Sequence, residues 1–151
     1  WLLKNEMRGL PDAQTRFDFT ALDWAFLNQL PLWLTFETVA GRLLLCHGLG
    51  ADDMAGVWPF DNSLTLHSNL ALWQLVNSGE FQFVVNGHTH HRLVRSFGEL
   101  TIINAGTLYR KHSPCFCIAD FDQLNAQFFN LYSDGGIEPA EQFPLPTKNF
   151  L

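Results

Sequence analysis

An α/β (α+β) fold follows from three features of this 151-residue sequence: apolar runs of strand length, two stretches with apolar residues at helical spacing, and turn residues between them. Residues Trp1 to Phe19 predict only a short helix, broken near Gly9-Leu10-Pro11. The next segment is better defined. Thr20 stands as an N-cap with Asp23 three residues on, Leu22, Ala25, Phe26 and Leu30 recur at helical spacing, and Pro31 ends the run.

Leu34 to Val39 and Arg42 to Cys46 read as a hairpin about Ala40-Gly41. Leu66, Leu70, Trp73 and Val76 then predict one helix, closed by Gly79. Phe81 to Asn86 is a short apolar strand that runs into Gly87-His88-Thr89-His90-His91. Two further hairpins follow, Leu93 to Ser96 with Leu100 to Asn104, and Cys115 to Phe121 with Ala126 to Tyr132. Residues 133–151, with Gly135-Gly136 and three prolines, predict an irregular tail.

With 47% hydrophobic and only 16% charged residues, the composition is that of a packed domain. The formal charge of -6 comes without any cluster of basic residues, which argues against an extended nucleic-acid surface. A small phosphorylated ligand stays compatible, because bound cations reverse the local field. Cys46, Cys115 and Cys117 each lie in an apolar run and read as buried thiols of a reducing compartment. No apolar stretch of membrane-spanning length and no signal peptide is visible, so the sequence predicts a cytoplasmic protein without membrane contact.

The histidines carry the chemical signal. His47 directly follows Leu43-Leu44-Leu45-Cys46, and His88, His90 and His91 directly follow Phe83-Val84-Val85-Asn86-Gly87. Side chains at strand ends are held by the sheet while the loop leaves the site open. Positions two apart in an extended stretch share a side, so the spacing predicts that His88 and His90 present both imidazoles to one cavity. Two strand-to-His transitions, one of them H-x-H after a glycine, favour metal binding over chance. His67 and His112 read instead as surface or hydrogen-bonded residues. Asp52, Asp53 and Asp61 read as solvated loop carboxylates, with Asp61 or Asn62 capping the next helix. Arg92 and Arg110 are compatible with phosphate contact or with plain surface positions.

Leu43-Leu44-Leu45-Cys46-His47-Gly48 resembles the strand and His-Gly motif of calcineurin-like metallophosphoesterases. Val84-Val85-Asn86-Gly87-His88-Thr89-His90 resembles their G-H-x-H motif, and Ile102-Ile103-Asn104-Ala105-Gly106-Thr107 the Asn-Pro-Gly-Ser segment that follows it. All three stand in family order, over about Leu43 to Leu108, and most resemble the small bacterial phosphodiesterase branch. The resemblance implies a four-layer sandwich of two mixed sheets flanked by helices, of which residues 1–151 form the C-terminal portion. It also implies a dinuclear centre of Mn, Fe, Ni or Zn, with His47 and His88 on one ion and His90 on the other. The substrate class implied is a phosphate-ester small molecule or nucleotide, hydrolysed by a hydroxide that bridges the ions.

The chain departs from the family in lacking D-x-H, G-D-x-x-D and G-N-H-D/E, which would supply the bridging carboxylate and the leaving-group His. In the family these precede the motifs found here, and the chain opens on Trp1 without Met, so the expectation is that they lie upstream. On that expectation no catalytic residue is assigned within the chain, and the isolated chain is predicted inactive. Two alternatives stand beside this: a non-catalytic binding module derived from the same fold, and a mononuclear three-histidine zinc site.

Overall fold

The computed structural model describes residues 19–147. The short helix expected before Phe19 lies outside the described residues. The chain divides into two compact units between Leu32 and Trp33.

The first unit holds α1 (Ala21–Gln29), set by the expected cap: Asp23 N–H donates to the Thr20 hydroxyl, and Thr20 N–H donates to the Asp23 carboxylate at 2.7 Å. No residue of α1 is buried.

The second unit is built on a five-stranded mixed sheet of order β1-β2-β3-β5-β4. Its strands are β1 (Trp33–Thr38), β2 (Gly41–Cys46), β3 (Phe83–Asn86), β4 (Arg92–Phe97) and β5 (Leu100–Ala105). β1 and β4 pair antiparallel with their sequence neighbours, while β2, β3 and β5 run parallel at the centre. A second, antiparallel sheet of order β6-β7-β8 is formed by β6 (Cys115–Asp120), β7 (Asn125–Leu131) and β8 (Ile137–Pro144).

Alternation along the central strands sorts side chains into two cores. Leu44, Val84 and Ile102 face a cluster with Leu66 and Leu72 of the helices α2 (Ser63–Ser68) and α3 (Leu70–Ser78). Leu43, Phe83 and Ile103 face the other way and pack with Ala126, Cys117 and Ala119 of the second sheet. The unit is therefore layered helices, sheet, sheet.

Three expectations need correction. The single helix expected across Leu66 to Gly79 is two helices, because Asn69 leaves helical geometry with ψ 90 and caps α3 through its side chain. The hairpin turn lies at Val39-Ala40 rather than Ala40-Gly41, since Thr38 pairs with Gly41. The tail is not irregular throughout. β8 occupies its middle as a strand at the sheet's edge, where Pro139 and Pro144 are tolerated because an edge leaves one side of the ladder unpaired. Residues 148–151 lie outside the described residues.

Candidate functional site

Adjacent parallel strands end side by side, which places His47 at the end of β2 next to the Gly87-His88 loop after β3. The ladder continues one step past the strands, with Gly87 N–H donating to His47 O at 3.1 Å. Two asparagines stitch the loops together. Asn86, buried at the end of β3, donates from Nδ2 to Gly48 O at 2.8 Å. Asn104, its register partner on β5, donates to Gly87 O and, at 3.0 Å, to the buried Thr89 hydroxyl. Its Oδ1 accepts from Gly106 N–H at 3.0 Å, so one side chain ties the histidine loop to the segment after β5. Two glycines are steric necessities here. A Cβ at Gly48 would lie 2.5 Å from Asp52 O, and one at Gly56 would lie 2.5 Å from the Thr89 methyl and 3.3 Å from the His88 ring.

The imidazoles of His47 and His88 meet edge to face with centroids 5.3 Å apart, and Trp58 walls His88 at 6.2 Å. Burial lowers the His88 pKa, the neighbouring His47 lowers it further, and a bond to the Met54 backbone acts the other way. The ring is thereby held neutral, the form in which imidazole donates its lone pair to a metal.

His90 is arranged differently from the expectation. His88 and His90 both adopt left-handed backbone, with φ 60 and 62, so the stretch is not extended and the period-of-two argument does not apply. His90 sets its ring 5.9 Å from that of His112, and His91 sets its ring 5.7 Å from Phe60. Left-handed non-glycine residues cost on the order of 1 kcal/mol or more each and collect at functional sites. Among the described residues there are four, and three of them, His88, His90 and Ser113, lie at this site or at the cleft beside it.

Other candidates have structural roles. Asp52 accepts from Met54 and Ala55 N–H at 3.0 Å, Asp61 accepts from Trp58 N–H at 2.9 Å, and Asn62 caps α2. His67 stacks on Trp73. Arg92 bridges the two sheets, donating to Asn130 and, at 2.7 Å, to Glu141. The parts that sequence reasoning missed are the positioning role of Asn86 and Asn104, and the approach of His112 to His90. Polar residues inside apolar strands were the available signal for the asparagines.

His47 and His88 suit a metal as two imidazole nitrogen donors at adjacent strand ends. Among the described residues, no group of three or more His, Cys, Asp or Glu side chains is arranged to hold an ion. The described residues therefore fit part of a metal site and do not contain a complete two-ion centre.

The layers, the parallel central strands and the two His-bearing loops at their ends define a metallophosphoesterase-like α+β fold. Comparison with solved structures gives the particulars. A single mutant of Vps29 from Entamoeba histolytica is 18% identical, with TM-score 0.52, over 78% of this chain and 63% of that one. Vacuolar Protein Sorting 29 from Cryptosporidium parvum is 18% identical, with TM-score 0.51, over 76% and 58%. A conserved uncharacterized protein from Streptococcus pneumoniae, described as a predicted phosphoesterase, is 17% identical, with TM-score 0.50, over 84% and 66%. The likeness to these neighbours, at such identities, is one of fold. The chain spans less than two thirds of the length of the Entamoeba and Cryptosporidium proteins. No family model and no curated protein matches the sequence.

Proposed function

We propose that this chain carries the histidine side of a metal-dependent phosphoesterase centre, whose carboxylate ligands come from outside the described residues. The observation that carries the reading is the pairing of His47 and His88 at the ends of two adjacent parallel strands, with rings 5.3 Å apart. His47 and His88 would hold one ion and His90 a second. Bound divalent ions in such a centre lower the pKa of water and offset charge developing on phosphate oxygens. The chain's own contribution is to hold imidazoles at fixed positions, through Asn86 and Asn104, on an edge open to a phosphate ester. Three neutral imidazoles cannot by themselves offset the repulsion between two neighbouring divalent ions. The chain alone is therefore expected to hold one ion at most and to be inactive.

The test compares this chain with a longer protein that contains it, using an aryl phosphodiester with Mn²⁺ or Ni²⁺. The expected result is hydrolysis by the longer protein only, lost on His88→Ala. Comparable turnover by the chain alone, or a longer protein whose activity ignores His88→Ala, would contradict the reading. A binding module on the same fold is the second reading, favoured by the exposed apolar residues Trp33, Leu34 and Phe36 on β1. Metal-independent capture of a protein partner through β1, without hydrolysis, is its distinguishing outcome.

A further inference from the structure

Beside the histidine pair, between the start of β4 and the loop at residues 106–114, lies an open cleft of about 670 Å³. Its lining includes His90, Arg92, His112, Ser113 and Glu141. The loop is shaped by its own hydrogen bonds: Cys115 N–H donates to Thr107 O at 2.8 Å, Tyr109 N–H to the Thr107 hydroxyl at 3.1 Å, and His112 N–H to Tyr109 O at 2.9 Å. Rings run in sequence from Tyr109 to His112 at 5.0 Å and from His112 to His90 at 5.9 Å. His112 thus reaches the histidine loop although it is far away in sequence. Ser113 follows with φ 52, an uncommon backbone for a serine.

Arg92 also lines the cleft. Asn130 and Glu141 fix its guanidinium, the Cys115 side chain adds a further hydrogen bond, and the side chain keeps 22% of its exposure. The lining thus offers a guanidinium, imidazole N–H groups and a hydroxyl, against one carboxylate that Arg92 already engages. Such a donor array matches a tetrahedral oxyanion better than a planar carboxylate, because three non-bridging oxygens need donors from several directions.

We propose that this cleft is a phosphate-binding subsite, in which Arg92 and His112 grip an anionic phosphate group of the ligand next to the His47–His88 pair. As a part of the substrate site, it rests on the phosphoesterase reading. Its own requirement is simpler: phosphate must bind here without metal.

The probe is inorganic phosphate, titrated into this chain by calorimetry in the presence of EDTA, with acetate at matched ionic strength as control. His112→Ala, in an exposed loop, is expected to weaken phosphate binding about tenfold, the size of one lost hydrogen bond to a charged group. Glu141→Gln, which removes the competing carboxylate, is expected to tighten it about threefold or more. Neither change is expected of a residue with a purely structural role. His67→Ala, which lies outside the cleft lining, should leave the affinity unchanged. Phosphate binding lost in His88→Ala but kept in His112→Ala would overturn the subsite while leaving the histidine pair as the anion's place. Binding insensitive to both His112→Ala and Glu141→Gln, or no preference over acetate, would also overturn it.

Discussion

Asn104 is 1% exposed, and its one side chain serves Gly87 O, the Thr89 hydroxyl and Gly106 N–H. Its truncation leaves buried backbone groups unsatisfied and frees the loop that holds His88 and His90 in left-handed geometry. Asn104→Ala is expected to cost about 1–3 kcal/mol of stability, read from the denaturant midpoint. Cys117 gives a second prediction, in pH. Burial, with the neighbouring Cys115, pushes its thiol from the ordinary 9.0 up to about 11. The unfolded chain then releases this proton first as pH rises, so the stabilising contribution is present below pH 9.0 and is lost across the window up to about 11. Thermal midpoints at the two ends of this window should fall further in the wild type than in Cys117→Ala, and an equal fall would contradict the assignment.

Between the elements, the Asn69 junction has the most to do with the site's surroundings. Its side chain accepts from Leu72 N–H at 3.0 Å and donates to Gly56 O at 2.8 Å, so it starts α3 and fixes the loop that walls His88. Asn69→Ala should destabilise by about 2 kcal/mol, near the upper end for a lost N-cap, because a second bond goes with it. Urea unfolding measures this, and a loss near zero would show that the junction closes without the side chain.

The same junction shows where the sequence was legible. Leu66, Leu70, Trp73 and Val76 fit one helical stripe in the sequence, but the break at Asn69 leaves Leu70 75% exposed and puts Leu72 in the core, a change that periodicity does not register. The strands were legible because the runs Leu43 to Cys46, Phe83 to Asn86 and Leu100 to Asn104 are mostly apolar, as strands covered on both faces tend to be. β8 was not legible, since two prolines and scattered apolar residues describe a loop as well as an edge strand. Residue type and placement at strand ends gave the candidate histidines. The direction each ring takes was not legible, because the loop that carries His88 and His90 is tied down by Asn104, a residue outside the motif, through Gly87 O and the Thr89 hydroxyl.

Taken whole, the second unit presents a covered sheet with one bare margin. β1 lies at the edge of the described sheet with Trp33, Leu34 and Phe36 each 45–47% exposed, the kind of margin that ordinarily pairs or is covered. At the C-terminal ends of its inner neighbours β2 and β3 stands the histidine pair, on strands anchored in both cores. The central claim is that this pair holds a divalent ion. Calorimetric titration of the chain with Ni²⁺ tests it most directly. The account predicts at most one ion per chain, with binding abolished by His47→Ala or His88→Ala and retained in His67→Ala. Ni²⁺ affinity that is unchanged when both His47 and His88 are replaced would contradict it.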